Sequence, residues 1–142
     1  MRHGEAHHSS PDHLRELTEA GRKEVTKSLS KSLDRIPTPE GIYHSGLTRA
    51  AQTADIAASI LAPNLQPQLI DGITPWGDAE NFSKALENES AEALLLVTHN
   101  PFVEDLVYFL TGESLRIKTG SLVAIDVDFL ARGCCTLRFV QH

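Results

Sequence analysis

Ala93-Leu94-Leu95-Leu96-Val97-Thr98-His99-Asn100-Pro101 sets the architecture of this chain. Its first five residues are apolar without interruption, as in a strand buried on both faces of a parallel sheet. Polar residues follow at once, at the strand's carboxyl end. Downstream, Phe102 to Leu110 reads as a helix with Gly112 as its stop. Upstream, residues 79–88 suggest a helix behind the turn Pro75-Trp76-Gly77-Asp78, and Leu69-Ile70 a weak strand. Arg49 to Leu61 is alanine-rich and helical up to Pro63, and Ile42-Tyr43-His44 before it is a short strand. Pro37-Thr38-Pro39-Glu40-Gly41 forms a loop. Ahead of that loop, Gly21, Val25, Leu29 and Leu33 recur every four residues and mark one helix face. Thr18 reads as the N-cap of this helix and Glu19 sits in its first turn. Leu122 to Asp128 and Thr136 to Val140 alternate in polarity and read as a closing pair of strands.

Strands alternating with helices imply an α/β fold, a three-layer α/β/α sandwich with a mostly parallel central sheet. No linker, repeat or low-complexity block interrupts the chain, so residues 1–142 read as a single domain. In such sheets ligands gather beyond the carboxyl ends of parallel strands. Arg2-His3, Ser45 to Arg49, and His99-Asn100 each belong to that end. Three separate segments therefore place polar groups on one rim.

A net charge of −6 argues against a general nucleic-acid surface, while leaving room for a local basic pocket. No apolar run approaches the roughly 20 residues that span a bilayer. The amino-terminal stretch has no apolar signal core, so a cytoplasmic location and no membrane contact are expected. Cys134 and Cys135 are adjacent, and alternating strand geometry would send them to opposite faces. His7, His8 and His13 join His3 near the start, at a spacing that matches no common metal-ligand pattern. Lys23, Lys27 and Lys31 recur every four residues and read as a solvated helix face.

The chemistry starts at Arg2-His3-Gly4-Glu5. Arginine clamps phosphate through a planar fork, and histidine can attack phosphorus and carry the phosphoryl group. Glycine lets backbone pass close to a ligand. Ser45-Gly46-Leu47-Thr48-Arg49-Ala50-Ala51-Gln52-Thr53-Ala54 brings a second arginine, and His99 is a second histidine. A cation in the first turn of a helix opposes the helix dipole. A phosphate bound at Arg49 would repair that conflict.

Taken together, these motifs resemble those of the histidine phosphatase (phosphoglycerate mutase-like) superfamily. More narrowly, the chain looks like the small SixA-type phosphohistidine phosphatases, over nearly its whole length. The resemblance implies His3 as nucleophile, Arg2 as its adjacent arginine, Arg49 as the second arginine and His99 as the second histidine. Asp12 with Arg15, Leu17 and Thr18 resembles the loop-to-helix stretch of the SixA-type branch. Pro75-x-Gly77-Asp78 and Thr119-Gly120-Ser121 fit that branch too. Gly4, Asn100, Asp12 and Asp78 are the positions expected to help bind substrate. Glu5, Asp12 and Asp78 are the candidates for a general acid, with no clear winner. The implied reaction needs no metal and no cofactor: His3 attacks phosphorus, and water releases the phosphate. The expected partner is a phosphorylated protein, such as a phosphotransfer domain carrying phosphohistidine. A small phosphate ester is the alternative substrate, and a degenerate phosphate-binding interaction module the alternative to an enzyme.

The resemblance carries one structural expectation. The family's first strand lies just before its Arg-His-Gly motif, in the middle of the sheet. Only Met1 precedes Arg2 here, so the first strand reads as truncated. A gap or a poorly paired edge is expected between the Ala93–Val97 strand and the Leu122–Asp128 strand. Arg2 and His3 would then be held less firmly, and the protein would be weakly active or unstable.

Overall fold

The computed structural model describes residues 1–142. A short 3-10 turn at Asp12–Leu14 leads into α1, Glu19–Ser32. Thr18 caps α1: its side chain accepts a hydrogen bond from the Gly21 N–H at 2.9 Å, a contact generally worth about 1 kcal/mol. Gly21, Val25 and Leu29 form its buried face, whereas Leu33 lies beyond its last turn and is exposed. Strand β1 is Gly41–His44 and helix α2 is Thr48–Leu61. The buried face of α2 carries Ala50, Ala54, Ala57 and Ala58 beside Arg49 and Thr53, and these alanines let the helix lie close to the sheet. Then follow β2 (Gln68–Leu69), α3 (Ala79–Ala85), β3 (Leu94–Val97) and α4 (Phe102–Thr111). Gly112 ends α4 in the left-handed conformation, at φ 77°, which glycine adopts without strain. Strands β4 (Leu122–Val127) and β5 (Cys135–Gln141) close the chain.

β2, β1 and β3 form a parallel sheet in that order, with Ile42 opposite Leu95 and His44 opposite Val97. One core lies between the sheet and α1 and α2, built around Val25, Leu29, Ile42, Ala54, Leu95 and Val97. A second, around Ile73, Phe82, Phe102, Leu106 and Phe109, covers the other face under α3 and α4. The expected three layers follow from this division. β4 and β5 pair antiparallel as a separate ribbon, with a bulge between Ala124 and Ile125. Cys135, the first residue of β5, is buried, and Cys134 just before the strand is exposed.

β3 and β4 do not pair. A cleft of about 710 Å3 lies between them, lined by Leu94, Leu96, Val103, Leu122 and Ala124 among others. This corrects the reading of β3 as buried on both faces: Leu95 and Val97 are buried, while Leu94 and Leu96 stay half-buried along the cleft. Met1 to His3 bridge the cleft at its upper end only. The Thr98 N–H donates to Met1 O at 2.9 Å and the His3 N–H to Thr98 O at 3.0 Å. On the other side, the Arg2 N–H donates to Ser121 O at 3.1 Å and the Gly120 N–H to His3 O at 2.9 Å. Met1 N is buried against Leu96 O.

Candidate active site

Two close approaches fix the segment that carries His3. A Cβ on Gly4 would come within 2.7 Å of Gly21 O, and a Cβ on Gly21 within 2.1 Å of Glu5 O. Both glycines are therefore demanded by the crossing of this segment over α1. Gly4 also donates its N–H to Thr53 Oγ1 at 3.1 Å, and the Thr53 hydroxyl donates to Arg49 O at 2.8 Å. Buried Thr53 thus ties the His3 segment to the first turns of α2.

These restraints shape a cavity of about 400 Å3 at the carboxyl end of the parallel strands, lined by Arg2, His3, Arg49, His99 and Asn100. Glu5, Ala6, His8, Arg15, Pro75 and Thr119 complete its wall. The His3 and His99 rings lie 4.9 Å apart between centroids. His3 Nδ1 is 2.6 Å from Gly4 O, a carbonyl that can only accept. The ring proton therefore sits on Nδ1, and Nε2 keeps its lone pair. His3 is pushed down to about 4, first by burial and then by Arg49, Arg2 and Arg15. The arginines favour the neutral ring, as expected, but desolvation is the larger cause. His99 is lowered further, to about 3, again mainly by burial and next by His3. Its Nε2 lies 2.6 Å from Ser45 Oγ.

The guanidinium groups are held by defined acceptors. Arg2 donates from Nη1 to Ile117 O at 2.9 Å. Arg49 is 5% exposed; it donates to Asp12 O at 3.1 Å and to Asp12 Oδ2 from both terminal nitrogens at 3.4 Å. Asp12 Oδ1 also accepts from Arg15 at 3.2 Å, so one carboxylate serves two arginines. The Arg15 hydrogen bond is the main reason that Asp12 sits below the usual carboxylate range. A carboxyl held ionised in this way is a poor proton donor at neutral pH. Four buried polar atoms have no partner: Arg2 Nε, Arg49 Nε, His99 Nδ1 and Asn100 Oδ1. All four belong to residues that line the cavity. Such orphans are rare and cost about 1–3 kcal/mol each, and all four sit around this one cavity.

Residues 1–116 match the sequence family described as the histidine phosphatase superfamily (branch 1). The chain belongs to that superfamily. The structure of the protein histidine phosphatase SixA complexed with tungstate is similar to it, with a TM-score of 0.88 and 27% identity over 99% of this chain and 93% of that one. The protein assigned as the phosphohistidine phosphatase SixA of Agrobacterium tumefaciens gives 0.83 at 23% identity, over 100% of this chain and 94% of that one. The alpha-ribazole phosphatase of Shigella flexneri gives 0.71 at 20% identity, over 100% and 94%. No curated protein is significantly similar in sequence.

Of the positions singled out in the sequence, Arg2, His3, Arg49, His99 and Asn100 meet at the cavity. Asp12 stands behind it as the counter-ion of Arg49. Gly4 serves packing against α1, and its carbonyl orients His3. Asp78 is not part of the wall; it caps α3 by accepting from the Asn81 N–H at 2.8 Å. Glu5 lines the mouth, where it accepts from the Thr18 hydroxyl at 2.8 Å. Ser45, expected on the rim, stands beside His99, while two participants were given no role in the sequence reading: Thr53 beneath Arg49, and Arg15 as a third guanidinium in the wall. Thr53 lies four residues after Arg49 on one helix face, which is the signal that could have found it.

Proposed function

We propose that the chain is a metal-independent phosphohistidine phosphatase that works through a covalent phosphohistidine on His3. The observation that carries this reading is the unprotonated His3 Nε2, left free by the 2.6 Å bond from Nδ1 to Gly4 O in a cavity shared with buried Arg49 and half-buried Arg2. Nε2 attacks the substrate phosphorus in line. The bond from phosphorus to the substrate's imidazole nitrogen breaks, and that nitrogen takes a proton from water. A second water then attacks the phosphorus, His3 leaves as a neutral ring, and the water's proton passes to solvent. Arg2 and Arg49 offset the charge on the equatorial oxygens through both transition states, with His99 beside them.

The substrate class is argued from the walls. The cavity's only apolar side chains are Ala6 and Pro75, so it offers little surface on which a nucleoside base could pack. Beside Pro75, Trp76 is 82% exposed, which suits contact with a protein surface. An imidazole leaving group also needs no strong enzymic acid, in keeping with an ionised Asp12. The SixA relative was solved with tungstate, an oxyanion shaped like phosphate.

The test compares kcat/KM for a phosphohistidine-bearing phosphotransfer domain with that for several sugar phosphates, and maps the phosphate trapped on the enzyme by rapid quench. Trapping on His3 with the phosphoprotein preferred is expected. A sugar phosphate preferred by about tenfold, a difference of 1.4 kcal/mol in transition-state binding, would select the small-ester reading. A phosphate trapped elsewhere would remove His3 as nucleophile.

A further inference from the structure

Behind Arg2 lies a small polar network that the reaction above does not use. Glu104, in the first turn of α4, is half-buried and turns Oε1 toward two donors. The Ile117 N–H donates to it at 2.8 Å and Asn100 Nδ2 at 2.8 Å. The carbonyl of the same Ile117 accepts from Arg2 Nη1 at 2.9 Å and from Asn100 Nδ2 at 3.4 Å. Ile117 is buried, in a segment between Gly112 and Leu122 that has no helix or strand of its own. Nothing in regular secondary structure fixes that peptide. Glu104 holds its nitrogen, and its oxygen holds the arginine.

We propose that Glu104 is a positioning residue: through the Ile117 peptide it aims the Arg2 guanidinium into the cavity, and through Nδ2 it sets the orientation of the Asn100 amide. The inference rests on the phosphatase reading, because aiming matters only if Arg2 meets a phosphoryl oxygen. With Nδ2 committed to Glu104, Asn100 Oδ1 is left as the unpartnered buried acceptor of a cavity-lining residue. A misplacement of about 1 Å at a catalytic donor can cost on the order of 10²-fold in rate, so a remote restraint of this kind is visible in kinetics.

The test is a double-mutant cycle on Glu104→Ala and Arg2→Ala, read as kcat and KM for p-nitrophenyl phosphate, with orthophosphate affinity by calorimetry and Tm for each protein. Glu104→Ala is expected to lower kcat by about tenfold or more, and to cost less than about threefold further once Arg2 is alanine, when only the Asn100 contact is left to lose. Glu104→Gln keeps an oxygen that can accept both N–H groups, so its loss should stay below about fivefold. If Glu104→Ala does not fold, Glu104→Asp takes its place in the cycle, one methylene short of Ile117. Additive losses would mean that Glu104 acts independently of Arg2 and would overturn the proposal. So would a Glu104→Gln protein as damaged as Glu104→Ala. A parent that binds orthophosphate without turnover shifts the cycle to binding affinity, where the same non-additivity is expected. A parent that neither binds nor turns over overturns the phosphatase reading and this inference together. Additive losses in an active parent overturn this inference alone.

Discussion

His3 and His99 are neutral chiefly because they are buried; the arginines around them add to an effect that desolvation has already produced. This has a consequence for pH. With folded-state values of about 4 and about 3, against an ordinary 6.5, both rings take up protons when the chain unfolds in acid. Stability from these groups is therefore fully present above the unfolded value and falls as pH drops from 6.5 toward 4. NMR titration of the ring protons should place the His3 midpoint below about 5, and a midpoint near the ordinary histidine value would contradict the burial described above. His3→Ala should abolish turnover and leave the fold intact, as judged by circular dichroism. Activity retained within about tenfold of the parent would sink the nucleophile assignment. Arg49→Ala and His99→Ala should each lower kcat by about 10²–10³-fold, the usual effect of removing a donor to transition-state charge.

Among the elements, the helices and the parallel strands were legible in the sequence because their signals are local. The Thr18 cap, the Val25 and Leu29 face, the alanines of α2 and the Gly112 stop all act within a few residues. The four residues at the cavity's centre were legible from local motifs too: Arg2 and His3 stand beside Gly4, and Arg49 and His99 come shortly after the ends of β1 and β3. Asp12 against Arg49 and Glu104 against Ile117 were not, because those contacts join loops whose course no periodicity records. The burial of β3 was misread because half of it depends on a neighbour across the cleft, and β4 does not close up to it. The gap between these strands is where it was expected, and the edges of β3 and β4 face it without pairing each other. A chain that carries extended apolar residues ahead of Met1, matched to the four residues of β3, should fill the cleft and be more stable than one that starts at Met1. Several new hydrogen bonds at about 1 kcal/mol each should raise Tm by about 5 °C or more. An unchanged or lower Tm in thermal melts would show that the cleft does not accept a strand. Conversely, Gly21→Ala should destabilise strongly, by about 2 kcal/mol or more, since its Cβ would collide with backbone and not with a movable side chain. Urea melts would measure the loss, and a change below about 0.5 kcal/mol would mean that α1 moves away freely.

The whole molecule is anionic at −6, yet it gathers Arg2, Arg15 and Arg49 around one cavity. The nearby carboxylates each have a task. Asp12 bridges Arg49 and Arg15, Glu104 holds Ile117 and Asn100, and Glu5 accepts from Thr18. No three His, Cys, Asp or Glu side chains come together in a way that could hold a metal ion. A divalent cation in the cavity would face the guanidiniums of Arg2, Arg15 and Arg49 with Glu5 as the one carboxylate in the lining, and Coulomb repulsion between charges about 4 Å apart is worth several kcal/mol at an effective dielectric of about 20. The positive charge that phosphoryl transfer requires is thus built into the chain. Incubation with EDTA followed by desalting should leave kcat/KM within about twofold of the untreated protein, and added magnesium or zinc should not raise it. Raising ionic strength should instead increase KM, because screening weakens the attraction of an incoming phosphate dianion over a Debye length of about 10 Å at 0.1 M salt. The two treatments separate the models cleanly: a guanidinium site responds to salt and ignores chelation. Loss of activity on chelation, with recovery on one divalent ion, would show that a metal does the work assigned to Arg2 and Arg49.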